Sequence, residues 1–346
     1  MPITYVFQDS FTLTRISPDL IQTAAMDDPI FDIFPLRPRN AAKLRWAIKD
    51  KYTGLMGLRG LGGEPSRVNR VGEKVYESDP GAYGEFETVD ETEMTNRGAG
   101  FPAGMDIPID IRDLVSDAQY HLTVRQVSRM KQVAWALALS QTITVLLPGG
   151  GVGWQESYTG QTLTPATPWS TLATSTPLAD LRSLQPTYGF GTSNKFNSQA
   201  RLIMNSVTKN YLLGNTNAAD LGGKRVENGA TINDLPGINR ILVAQDLPPI
   251  EVWDDGYIDD AGAFQLYIPN GRALVVGARP TGETPGEFQL TRNMNNPNGE
   301  PAPYAFVDDR TKGDKKSVPP RIDVHQGFNG GPVVERPSQL VTLVVG

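Results

Sequence analysis

Between Ile111 and Leu147 the chain holds no glycine and no proline, although 35 glycines and 27 prolines are scattered through its 346 residues. Apolar residues recur there at Ile111, Leu114, Val115, Ala118, Leu122, Val127, Met130, Val133, Ala134, Leu137 and Ala138, mostly three and four apart. That spacing predicts one amphipathic helix with Asp110 as its N-cap. A helix from about 110 to 140 would be roughly 45 Å long at 1.5 Å per residue, far beyond the three-turn average. A chain with one such rod and turn residues almost everywhere else must build the rest from short elements around it.

The flanking segments read differently. Residues 1–43 carry Pro2, Pro18, Pro29, Pro35 and Pro38, which bar a continuous helix, and a compact apolar cluster at Ile30, Phe31, Ile33, Phe34 and Leu36. This predicts an arm that packs either on its own domain or on a neighbouring subunit. Residues 44–97 read as a long two-stranded excursion with a turn at Gly62-Gly63-Glu64-Pro65-Ser66 and a return through Val68–Tyr76 and Ala82–Val89. A two-stranded ribbon is marginal in water, so a long one calls for lateral support. Basic Arg59, Arg67, Arg70 and Lys74 stand near its tip, and acidic Glu87, Asp90, Glu91 and Glu93 at its far end. The pattern fits either a solvated surface or a charge match between copies that sets register.

Beyond the rod, Pro148 to Gly153 reads as a turn, because neither Gly-Lys-Ser/Thr nor a strand–GxGxxG–helix context follows. Helices are expected over Leu178–Leu184 and over about Asn197–Leu213, the latter with Ala200, Ile203, Met204, Val207 and Tyr211 on one face and Gly214 as its stop. From Ile241 a meander of short strands is expected through Ile250–Trp253, Phe264–Ile268 and Ala273–Val276. Thr291–Pro320 reads as a polar loop, and Leu340–Val345 as a terminal strand paired in a sheet.

Chemistry-bearing motifs are scarce. There is no cysteine, which excludes disulfides, thiolate metal sites and cysteine nucleophiles. His121 and His325 are the only histidines and match no HExxH spacing. Asp254, Asp255, Asp259 and Asp260 lack the alternate spacing of a calcium loop and read as a hairpin turn. No GxSxG elbow occurs. The sequence therefore predicts no catalytic residues, no cofactor and no metal, and points away from an enzyme. A net charge of −6 fits poorly with a dedicated nucleic-acid binder. Met1–Phe11 shows neither a basic n-region nor a long apolar core, and no run approaches a bilayer span, so neither export nor membrane insertion is expected. Length alone suggests about two domains.

The order of elements, with Val252-Trp253-Asp254-Asp255-Gly256-Tyr257-Ile258-Asp259 through Phe264, then Ile268-Pro269-Asn270-Gly271 and Leu274-Val275-Val276-Gly277, and a closing Gly331-Pro332 to Val345, resembles the major capsid proteins of tailed phages with the Hong Kong 97 fold. The lambda-type capsid protein E family is the nearest resemblance. It implies an α+β fold: an N-arm (1–43), an E-loop ribbon (44–97), a P domain (98–176) with a spine helix over about 110–142, an A domain (177–290), and a return of 291–346 to the P domain with the C-terminal strand. It implies a subunit that self-assembles through hexamers and pentamers into an icosahedral virion shell. That shell is built in the host cytoplasm and encloses double-stranded DNA without sequence-specific binding, with a separate scaffold, a portal and decoration proteins as partners. An encapsulin-type nanocompartment shell is the alternative within the same fold, and a hydrolase the alternative outside it. Some family members crosslink loop lysines to asparagines. Lys49, Lys51 and Lys74 lie in the expected loop, but no partner or catalytic carboxylate is identifiable and crosslinking is not expected. Assembly residues are expected at Phe31, Phe34, Arg59, Arg67, Arg70, Lys74, Glu87 and Glu91, and the helix core at Leu114, Val115, Leu122, Met130 and Leu137. Deleting residues 1–43 is expected to leave a folded core but no stable shell.

Overall fold

The computed structural model describes residues 28–48, 75–90, 92, 111–146, 151–215, 235–259, 261–279, 282–295, 299–310 and 319–346. Its helices are α1 (Pro29–Ile33), α2 (Ile111–Ser140), α3 (Pro177–Leu184), α4 (Ser206–Leu213) and α5 (Leu235–Ala244). Strands β1 (Leu36–Pro38), β2 (Leu44–Ala47), β3 (Val75–Ser78) and β4 (Gly81–Val89) precede α2. After it come β5 (Thr142–Leu146), β6 (Val152–Ser157), β7 (Gln161–Leu163), β8 (Arg201–Met204), β9 (Ile250–Val252), β10 (Gly256–Ile258), β11 (Phe264–Leu266) and β12 (Arg272–Val276). The last are β13 (Gly286–Leu290), β14 (Tyr304–Asp309), β15 (Ile322–Val334) and β16 (Leu340–Val344). The chain divides into two compact units, one from Met1–Leu44, Ser78–Ala134 and Phe288–Pro332, the other from Arg45–Glu77, Trp135–Glu287 and Val333–Gly346.

The first unit is a sheet in the order β1-β13-β15-β14, with β4 on the other side of β15. β4 and β15 pair antiparallel from Gly81↔Gly330 to Val89↔Ile322. The strand period of two sends alternate residues to opposite faces. Val89, Val307, Ile322 and Val324 go to one face, where they form a core with Leu114, Val115, Ala118 and Leu122 of α2. At the other end of this unit, Ile30, Phe31, Ile33, Phe34 and Leu36 are each at most 5% exposed, as are Phe288 and Leu290. The Asp28 side chain caps α1 by accepting from Ile30 N (2.9 Å) and pairs with Lys131 of α2 at 3.3 Å. β1 adds in parallel to β13, Leu36 opposite Phe288.

The second unit holds the sheet β7-β16-β12-β8-β9. One face takes Leu202, Met204, Ala273, Val275, Val341 and Leu343 and is covered by Leu178, Leu181 and Leu184 of α3, Leu212 of α4 and Leu242 of α5. On the opposite face the Thr342 hydroxyl donates to Ala138 O at the end of α2 (3.2 Å). The first part of α2 buries a stripe. From Val133 to Leu139 only Gln-free apolar residues are met, and Val133, Ala134, Trp135, Leu137, Ala138 and Leu139 are all at most 2% exposed.

Gln141 ends the helix with φ of 59°. Its backbone N–H donates to Leu137 O (2.9 Å) and its carbonyl accepts from Tyr158 N (3.0 Å). Its side-chain amide donates to Thr162 Oγ1 (2.7 Å) and Gln161 O (3.2 Å) and accepts from Gly160 N (3.2 Å). A residue that is not glycine tolerates this left-handed corner because its own side chain fastens the loop on the far side.

Three expectations are corrected. Ala200, Ile203 and Met204 do not lie on a helix: Arg201–Met204 is a strand between β12 and β9, and the helix starts only after Asn205, whose side chain accepts from Thr208 N (2.8 Å). The strands from Ile250 to Val276 are not a meander, since β12 pairs with β16 and β8, and among the described strands of that stretch only β10 and β11 are consecutive neighbours. The polar stretch 291–320 contains β14, whose Val307 is buried in the first unit's core. The C-terminal strand pairs with β12 on one side and, on the other, with β7, which lies within residues 98–176.

Candidate assembly surfaces

The residues expected to make contacts between copies fall into three groups. Phe31 and Phe34 are 3% and 0% exposed within this one chain, so the apolar cluster of the arm is satisfied at home and offers no contact surface. Removing residues 1–43 would take away the α1 cluster, β1 and the Asp28–Lys131 pair, so it strips the first unit's core; a truncation ending at residue 27 keeps that layer. Arg59, Arg67, Arg70, Lys74 and Glu91 lie outside the described residues, as does the Gly62–Ser66 turn. Glu87 is described and faces α2, 3.6 Å from His121 Nδ1. The core residues of α2 lie at 7% (Leu114), 3% (Val115), 5% (Leu122), 0% (Met130) and 1% (Leu137) exposure.

The expected long ribbon is split. β2 and β3 pair as two strands, with Trp46 stacked on Tyr76 (5.8 Å) and flanking pairs Lys43–Asp79 and Arg45–Glu77. The Ala82–Val89 segment belongs instead to the first unit's sheet, because Tyr83 and Val89 face inward and Phe328 stacks on Tyr83 at 4.8 Å. Burial pushes the Tyr83 phenol well above its usual value.

The first unit's sheet carries an aromatic row on the face away from α2. Phe86, His325 and Phe306 stand directly opposite one another across three strands. His325 is 5.2 Å from Phe86 and 4.7 Å from Phe306, the latter nearly parallel. Phe86 is 57% exposed. Burial holds the His325 imidazole below its ordinary value, against the opposing pull of Asp323 and Asp308. His121 lies on the other side of this sheet, beside Glu87, so the two histidines cannot share a ligand. In the next row the Tyr304 hydroxyl lies over Gly84 and Gly327, where an added Cβ would meet it at 2.4 and 2.6 Å. On the opposite flank of the aromatic row, Asp323 accepts from Thr88 Oγ1 (2.8 Å) and is flanked by Arg310 (3.4 Å) and Arg321 (3.2 Å). On the α2 side, Arg125 bonds Glu85 through two nitrogens, which holds that carboxyl below its usual range.

The second unit presents two surfaces that the sequence reading did not single out. The β10–β11 hairpin places Ile258 opposite Phe264, and these are 65% and 59% exposed. Asp259 closes its turn by accepting from Ala261 N, Ala263 N and Gln265 Nε2 at 2.8–3.0 Å, which lowers its pKa. Asp254 accepts from Ser206 N at 2.7 Å and Asp255 from Gly256 N at 2.9 Å, so three of the four expected turn aspartates serve local backbone geometry. Elsewhere in this unit, Phe190 is 71% exposed and Val243 47%. Also in this unit, Arg182 donates to the neutral Gln245 amide (2.8 Å). Lys195 and Arg240 are exposed nearby in the chain, and Asp246 accepts from Ser198 Oγ (2.7 Å). Among the described residues no group of three or more His, Asp or Glu is placed to hold a metal, and no helix is long and apolar enough to cross a membrane.

No family model and no curated protein sequence matches the chain. Solved structures do. A phage-related protein from Bordetella bronchiseptica RB50 superposes with a TM-score of 0.53 at 10% identity, over 95% of this chain and 97% of its own. The putative capsid protein of a prophage of E. coli CFT073 gives 0.51 at 12% identity, over 100% and 99%. The capsid of a native GTA particle gives 0.50 at 12%, over 91% and 88%. At this identity the likeness is one of fold, and it runs from end to end of the chain: the fold is α+β and is that of phage capsid proteins.

Proposed function

We propose that the chain is a major capsid protein of a tailed phage, a structural subunit that self-assembles through hexamers and pentamers into an icosahedral shell around double-stranded DNA. The observation that carries this reading is the likeness of fold to a prophage capsid protein over essentially the full length of both chains. Fold alone does not fix function, but three further features point the same way. The net charge of −6 suits a wall that encloses DNA without gripping it. Ile258, Phe264, Phe190 and Phe86 leave large apolar side chains more than half exposed, as surfaces completed by neighbours do. The charged residues Arg59, Arg67, Arg70, Lys74 and Glu91 suit contacts that set the register between copies. In this role the partners are other copies of the chain, with a scaffold, a portal and decoration proteins, and the location is the virion, assembled in the host cytoplasm.

The test is electron microscopy of the purified protein, alone and with a scaffold candidate. Hollow icosahedral particles, or hexameric and pentameric capsomers, are expected. A monodisperse monomer or dimer under both conditions overturns the proposal.

A further inference from the structure

We infer that the β10–β11 hairpin docks head-to-tail on a second copy of this chain, at the surface formed by Phe190 and Val243 with Arg182 and Lys195. The inference rests on the shell-forming reading above. From Asp254 to Gly271 the sequence has four acidic residues and no lysine or arginine. The hairpin within that stretch exposes its one apolar cross-strand pair, Ile258 and Phe264. A two-stranded ribbon with its apolar pair in water is marginal, and a partner that covers the pair stabilises it. Two such hairpins facing each other would bring acidic groups together, so the symmetric contact is disfavoured.

The complementary surface lies at the other end of the same sheet. The hairpin leaves from the end of β9, where Trp253 N donates to Met204 O (2.9 Å), and returns into the start of β12, whose Ala273 is opposite Met204. Lys195 bridges Ala278, past the far end of β12, and Asp246 bonds Ser198 just before β8 begins. The length of β8 alone, about 13 Å at 3.3 Å per residue, separates the two ends. The receiving end exposes Phe190 and Val243 and carries Arg182, Lys195 and Arg240 against Asp246. Apolar meets apolar and acidic meets basic only when different ends of two copies join. A contact between different patches repeats around an axis and closes into a ring when the rotation allows.

The chain has no cysteine, so introduced thiols report contacts without background. Phe264→Cys and Val243→Cys are placed together in the full chain, assembled, and treated with a short bis-maleimide. Both positions are about half exposed, so the fold is not at risk. The expected result is a ladder of crosslinked species extending beyond the dimer in the double variant, and none beyond the monomer in either single variant. Dimers from F264C alone, or assembled particles of the double variant with no ladder, overturn the head-to-tail contact while leaving the shell reading intact. Failure of the unsubstituted chain to form any particle or ring overturns both. As a second measure, F264D is expected to lower particle yield at least tenfold with an unchanged circular dichroism spectrum, and an unchanged yield overturns the inference.

Discussion

Two antiparallel ribbons in the same unit have opposite fates. β5–β6 turns Ile143 (3% exposed) and Trp154 (7%) into the protein and leaves Val152 exposed only near its tip, whereas β10–β11 shows both members of its apolar pair to water. Both have the same ladder chemistry. What separates them is the root. β5 begins at the Gln141 corner, where three side-chain hydrogen bonds and two backbone ones fix the ribbon to the end of α2. The β10–β11 hairpin is held at its root by Tyr267 N donating to Asp255 O (3.1 Å) and by the Tyr257–Tyr267 stack, and its outer half has no cover among the described residues. A ribbon that is finished within its own chain serves stability. One left unfinished serves association.

The largest expected effect tests the finished ribbon. Trp154→Ala removes a buried aromatic and should cost about 3–5 kcal/mol, read as a fall in the denaturant midpoint of the unassembled subunit. If it costs less than ~1 kcal/mol, β5–β6 is not anchored by burial and the comparison fails. Gln141→Ala keeps the helix but deletes the amide bonds to Gly160, Gln161 and Thr162, for an expected loss of about 1–2 kcal/mol. Protection of the β5–β6 amides in hydrogen exchange should fall while that of α2 is kept.

The Phe86–His325–Phe306 row lies between the two ribbons in cover, and pH separates its parts. Burial lowers the His325 pKa in the folded chain, so the unfolded chain binds the proton more readily. Stability from this group is therefore present above the ordinary value of 6.5 and is lost as pH falls through it toward the folded pKa. His325→Phe should keep the stack and flatten the dependence of Tm on pH below 6.5; an unaltered slope would place the titrating group elsewhere. The smallest effect belongs to the unfinished ribbon. Phe264→Ser should change subunit stability by no more than about 0.5 kcal/mol, because the side chain is already in water, and a larger loss would mean that the hairpin supports its own fold.

The long helix was legible because nothing between Ile111 and Leu147 interrupts its spacing, and the structure ends it at Ser140 with a residue no pattern flags. Ala200, Ile203, Met204 and Val207 obey helical spacing as well, yet the first three sit in or against a strand. Asn205 interrupts the chain conformation, and the β12 and β9 edges on either side of β8 decide the outcome. The partnership of Asp28 with Lys131 spans more than a hundred residues and left no local trace. The hairpin itself is signalled by its aspartates, but the exposure of its apolar pair is not, since Ile258 and Phe264 look in sequence like any other strand residues and only the register sets them side by side. The terminal strand was recognised as paired, but which sheet it joins is a question of topology that its own six residues do not answer.

Tyr304, Gly84 and Gly327 form a three-way bargain written across three strands. In a lineage descending from this chain, position 84 can acquire a side chain once position 304 has shrunk, whereas at position 327 a new Cβ would still lie 2.2 Å from the Tyr83 carbonyl oxygen. Positions 84 and 304 should drift as a pair while 327 stays glycine: a survey of natural variants or a saturation library should find the first two changing together, 304 first, while the aromatic row one step away varies independently.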